Sequence, residues 1–110
     1  MEIRDEERRI VISVSGELDL ATSPALAVEL ERASASDASV IVLDLRGVSF
    51  MDSTGLSVLV EGQRRADESP PRFVVVKGGD QVSRLLALTG VADRLTLVDA
   101  PEQVSDADVP

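Results

Sequence analysis

The 110-residue chain contains no cysteine and no histidine. Disulfides, thiolate or imidazole metal sites, cysteine nucleophiles and histidine-based triads are therefore excluded. Tryptophan and tyrosine are missing as well, and Phe50 and Phe73 are the only aromatics, so a core has to be built from Val, Leu, Ile and Ala. Positive charge is scarce: 11 Lys and Arg stand against 20 Asp and Glu, for a net charge of -9. That balance repels a phosphate backbone and leaves no counterion release to drive nucleic-acid binding. Anionic lipid surfaces are disfavoured for the same reason, and a basic patch on a partner protein fits the charge better. No stretch approaches the roughly 18 apolar residues of a membrane span, and the start, MEIRDEERR, is charged rather than apolar. A cytoplasmic chain without membrane insertion is expected. Carboxylates alone could hold Mg²⁺ or Ca²⁺, but no D-x-D-x-D-G loop occurs, and neither metal nor cofactor is expected.

What is present is aliphatic and periodic. With 44% hydrophobic residues, the length suits one core and is too short for two, so residues 1–110 are expected to form a single domain. Residues 2–5 and RRIVISVS (8–15) read as two strands, the second from its period of two, with Asp5-Glu6-Glu7 as the hairpin turn. GELDLATSP then reads as a loop. Ser23 offers an N-cap and Pro24 a first helical position where its missing N–H costs nothing. Leu26, Ala27, Leu30 and Ala33 form one apolar stripe. Val40–Leu45 is nearly continuous in hydrophobicity, as in a central strand covered on both faces.

A second helix is expected from Asp52-Ser53 to about Asp67, stopped by Pro70-Pro71, and Phe73–Val76 is a further strand at β-α-β spacing. Asp80 reads as the cap of a third helix ended by Gly90. Leu95–Val98 is the last strand, and a short closing helix after Pro101 would have Val104 and Ala107 as a thin apolar face. The order β-β-α-β-α-β-α-β-(α) argues for an α/β domain with a mostly parallel mixed sheet and an N-terminal β-hairpin.

The stretch SFMDSTGLS (49–57) joins the central strand to the second helix. Ligand sites of open α/β sheets lie at such carboxyl ends. Helix capping accounts for Asp52 or Ser53. It does not account for Gly55 in the first turn, where glycine costs a helix about 1 kcal/mol relative to alanine, nor for two adjacent hydroxyls, Ser53 and Thr54. Gly55 is tolerated where a backbone or a partner must approach closely. Aspartic proteases carry Asp-Thr/Ser-Gly without the extra residue seen here, and the second such loop is missing. Gly78-Gly79-Asp80 is a turn and cap, since no Lys-Ser/Thr follows it.

The segment VIVLDLRGVSFMDSTGLSVLV, with GELDLATSP upstream and SRLLALTGVADRLTLV downstream, resembles a STAS domain of the kind found in bacterial anti-sigma factor antagonists, over about residues 8–99. The resemblance implies that Ser53, directly after Asp52, is phosphorylated by the partner anti-sigma factor, itself a serine kinase. It further implies that the unphosphorylated form binds that partner and frees the sigma factor, and that a phosphatase resets the phosphorylated form. The implied partner surface comprises Glu17, Asp19, Asp52, Ser53, Thr54, Gly55 and Val58. Ser49, Thr54 and Ser57 are the other hydroxyls nearby, and Met51 reads as core.

The function expected is a non-enzymatic binding module switched by phosphorylation. The alternatives are a STAS scaffold subunit of a lipid-transport or stress-signalling complex without a phospho-switch, and a nucleotide hydrolase using Asp19 and Asp52 with Mg²⁺.

Overall fold

The apolar run at 40–45 is the middle of the molecule. In the computed structural model, which describes residues 1–104, it belongs to β3 (Val40–Met51), whose first six residues are all buried. On one side β3 pairs with β2 (Arg9–Leu18) and on the other with β4 (Arg72–Val76), both in parallel. Outside these lie β1 (Glu2–Glu6), antiparallel to β2, and β5 (Leu97–Val98), parallel to β4. The sheet order is β1-β2-β3-β4-β5. The expected single α/β domain with a mostly parallel sheet and an N-terminal hairpin is what forms.

Alternation of side chains along β3 sends successive residues to opposite faces, and both faces are covered. Ile41, Leu43 and Leu45 join Ile12, Phe73 and Val75 beneath three helices: α1 (Ser23–Ser34), α2 (Ser53–Glu68) and α3 (Asp80–Leu88). These contribute Leu26 and Leu30, Leu59, and Val82 and Leu86 respectively. Burying each such side chain stabilises the fold by about 1.5–3 kcal/mol. The opposite face is made of valines: Val11, Val40, Val42, Val74 and Val76, joined by Val104. Arg9 Nη2 donates to the Val104 carbonyl at 2.8 Å and ties the chain down there.

Several boundaries differ from those expected. The hairpin turn is Glu7-Arg8, with Glu6 paired to Arg9 and Glu7 at φ 54°. Gly16, Glu17 and Leu18 are not loop but the end of β2, paired with Val48, Phe50 and Met51 across two register shifts. One shift falls between Gly16 and Glu17, and φ at Gly16 is 81°. A bulge needs such a residue, and glycine adopts it without steric cost. The N-cap of α1 is Thr22 rather than Ser23. Ser23 is instead the buried first residue of that helix. Gly79, not Asp80, caps α3, and no side chain bonds to that cap. β5 keeps only Leu97–Val98 of the expected last strand. The closing helix is a single 3-10 turn, Pro101–Gln103; Ala107, expected on its face, lies outside the described residues.

Candidate functional site

Both β2 and β3 run past the middle of the sheet and end side by side, Leu18 against Met51. The next residues, Asp19–Thr22 and Asp52, turn the chain into α1 and α2, so the two helix starts are neighbours at the carboxyl end of the strands. Asp52 closes this corner. Its N–H donates to the Leu18 carbonyl at 3.2 Å, and its carboxylate accepts from the amides of Thr54 at 2.9 Å and Gly55 at 3.3 Å. The Thr54 hydroxyl also donates to it. That hydroxyl bond, with the amides of Gly55, Thr54 and Leu20, holds the Asp52 carboxyl below the usual carboxylate range and outweighs partial burial. Asp52 is therefore an ionised cap that ties the β2–α1 turn to the start of α2.

Ser53 follows as the first helical residue and is exposed. Its hydroxyl has no hydrogen-bond partner among the described residues. The other hydroxyls of the turn are engaged: Thr54 with Asp52, and Ser57 donating to the Ser53 carbonyl at 3.0 Å. Gly55 is buried, and the approach it permits is internal. A Cβ there would stand 2.8 Å from the Leu18 carbonyl oxygen and 2.9 Å from Met51 Cγ. Gly55 thus has a packing role, and its backbone is not at the surface. Met51 is buried as core.

Asp19 organises its own turn. Its carboxylate accepts from the amides of Ala21 at 3.0 Å and Thr22 at 3.2 Å, and from the Thr22 hydroxyl at 3.1 Å. Glu17 is exposed, and its carbonyl accepts from Thr22 Oγ1 at 2.7 Å. Val58, one turn along α2 from Thr54, is half-buried. The expected set Glu17, Asp19, Asp52, Ser53 and Thr54 is thus gathered at one corner, with Gly55 beneath it and Val58 beside it.

Two contributions were not foreseen from the sequence. Gln81, in the first turn of α3, pairs its side-chain amide with both backbone groups of Met51: the Met51 N–H donates to Oε1 at 2.9 Å and Nε2 donates to the Met51 carbonyl at 3.1 Å. It stands where a neighbouring strand would, since the pairing of β4 with β3 ends at Asp44. The other contribution is the Leu18 carbonyl, which accepts the Asp52 N–H. Neither has a local sequence signal, because each depends on which segments the sheet brings together. Among the described residues, no group of three or more acidic side chains is placed to hold a metal ion. No helix among them is long and apolar enough to cross a membrane.

The family model described as "Mlab, STAS domain" matches residues 1–99, and the chain belongs to the STAS domain family. Within it, the chain is 34% identical over 94 residues to the anti-sigma-B factor antagonist of Listeria monocytogenes, covering 84% of this chain and 82% of that protein. The solved anti-sigma factor antagonist from Mycobacterium paratuberculosis is similar with a TM-score of 0.80 and 30% identity, over 92% of this chain and 86% of that one. Bacillus SpoIIAA in its phosphorylated form has the same fold, with a TM-score of 0.71 at 17% identity over 92% and 93% of the two chains.

Proposed function

We propose that this chain is an anti-sigma factor antagonist. Its unphosphorylated form binds a kinase-type anti-sigma factor and releases the sigma factor, the kinase phosphorylates Ser53, and the modified chain lets go until a phosphatase restores it. Relatives named as antagonists support the first part. The observation that carries the switch is that Ser53 presents an exposed, unbonded hydroxyl on a helix start whose Thr54 and Gly55 amides Asp52 already occupies.

A helix N-terminus ordinarily offers free amides and a favourable dipole to a phosphate. Here the carboxylate of Asp52 has taken that place. A phosphate on Ser53 adds about -1.5 to -2 charges at pH 7 beside an ionised carboxylate, and the charge stays at the surface. The fold has no need to rearrange. A partner covering Ser53 would have to strip water from that anion, and burying an uncompensated charge costs several kcal/mol. Long-range attraction between this acidic chain and a basic partner still assists encounter.

Glu17, Asp19, Thr54 and Val58 complete the contact surface, with Asp52 and Gly55 holding its shape. The test is mass spectrometry after incubation with the anti-sigma factor kinase and ATP, with titration of wild type, Ser53→Ala and Ser53→Glu against the kinase. Phosphate on Ser53 alone, full binding by Ser53→Ala and poor binding by Ser53→Glu are expected. Phosphate on Thr54 or Ser57 would reassign the site. Full-strength binding by the phosphorylated chain would remove the switch and leave the scaffold reading.

A further inference from the structure

The start of α1 and the turn before it carry no charge from Leu20 to Val28, in a chain where 28% of residues are charged. A surface helix normally turns polar residues outward. Here the outward side of the first two turns is apolar: Pro24, Ala25 and Val28 are exposed, as are Leu20 and Ala21 just before the helix. Leu20 is 74% exposed and Val28 53%. Charge returns on that side only at Glu31 and Arg32. The ridge is not isolated from the acceptor corner. The Leu18 carbonyl, two residues before Leu20, accepts the N–H of Asp52, the residue before Ser53, at 3.2 Å, and α1 lies against α2.

We propose that this ridge, with Leu20 and Val28 as its anchors, is the affinity-determining part of the surface on which the anti-sigma factor kinase docks. The inference rests on the function proposed above and adds the chemistry of the contact. A kinase that reaches the Ser53 hydroxyl has to close over the corner that Leu20 occupies, so the occupant is fixed by the reaction. An apolar groove on the kinase is the complementary surface. The division of labour follows from charge. The acidic residues of the chain act at long range and raise the association rate, whereas the uncharged ridge acts only in contact and sets the dissociation rate.

The experiment measures binding kinetics and Ser53 phosphorylation with the purified anti-sigma factor kinase, using wild type, the double variant Leu20→Ala/Val28→Ala, and Leu88→Ala as control. Leu88 is 79% exposed at the end of α3, a different helix from the one that carries the ridge. Val28→Ala improves helix propensity, and Leu20 is exposed, so the double variant folds with an unchanged melting temperature. Loss of two contact anchors should weaken binding by about thirtyfold or more, almost all of it as faster dissociation at any salt concentration. The KM for Ser53 phosphorylation should rise with kcat nearly unchanged, as for binding energy lost equally from ground and transition states. Leu88→Ala should match wild type.

If the double variant binds like wild type while Ser53→Glu does not bind, the ridge is outside the interface and this inference fails with the functional reading intact. A wild-type chain that is neither bound nor phosphorylated removes that reading and the inference together. A wild-type dimer in equilibrium sedimentation that the double variant converts to monomer assigns the ridge to a second copy of the chain and overturns the proposal.

Discussion

Gly55→Ala tests the packing on which the Asp52–Gly55 turn is built. The added methyl would stand 2.8 Å from the Leu18 carbonyl oxygen, 2.9 Å from Met51 Cγ and 3.0 Å from Leu18 Cγ. The carbonyl is not free to retreat, since it accepts the Asp52 N–H at 3.2 Å and belongs to a strand paired with β3. Alanine gains about 1 kcal/mol in helix propensity over glycine, and overpacking a rigid site costs about 1–3 kcal/mol. The clash involves backbone, so the upper part of that range applies and a net loss of about 1–2 kcal/mol is expected. For a domain of this size that is a fall in Tm on the order of 10 °C. Thermal and urea melts followed by far-UV circular dichroism measure it, with Gly79→Ala as the control. A Cβ on Gly79 meets nothing within 4 Å, and its change should stay within about 1 kcal/mol, cap preference and chain entropy acting in opposite directions. A Gly55→Ala protein as stable as wild type would refute the argument that the glycine is there for close approach.

Ser53→Ala removes a hydroxyl with no partner among the described residues, and its stability should match wild type within about 0.5 kcal/mol in urea melts. Gln81→Leu deletes both bonds to the Met51 backbone and should cost about 1–3 kcal/mol, with faster hydrogen exchange at the Met51 amide. The buried Asp44 carboxyl is held below its ordinary value by the Arg46 guanidinium, 2.8 Å away, against the opposing effect of burial. Because the folded value is the lower one, its contribution is complete above the ordinary value of 3.8 and fades as pH falls through the folded value. Asp44→Asn should therefore flatten the acid limb of a stability profile measured between pH 2 and 6. Asp19→Asn keeps an acceptor oxygen for the Ala21 and Thr22 amides, so it should fold normally. It should also lower the association rate with the proposed kinase partner at low salt, where screening is weak.

Strands and helices that bury a continuous apolar side were legible in the sequence: Val40–Leu45, the Leu26–Leu30–Ala33 stripe and Phe73–Val76 all fall where hydrophobic pattern puts them. The ends of β2 and β3 were not. Gly16 reads as part of a loop and the apolar run of β3 stops at Leu45, and what keeps these segments extended is their mutual pairing across bulges, which no local pattern records. The cap of α1 was misplaced by one residue because Asp19, three residues upstream of Thr22, sets the turn. At the corner where β2 and β3 end, the Asp52-Ser53-Thr54-Gly55 stretch was legible as a cap with an excess hydroxyl. The internal reason for Gly55 was not, since it depends on Leu18 arriving from another strand.

The bonds around Asp52 and Met51 also bear on when the Asp52–Gly55 turn exists. Its shape is supplied by Leu18 from one segment, Thr54 and Gly55 from the next, and Gln81 from a helix 30 residues beyond Met51. A peptide spanning SFMDSTGLS holds the hydroxyl but not the frame, and a growing chain exposes Ser53 before the segment bearing Gln81 has been made. A kinase partner of the proposed kind that reads the frame would ignore nascent and unfolded copies. Under the proposed switch, phosphate would then mark only completed molecules, and the pool of modified chain would count folded protein rather than total synthesis.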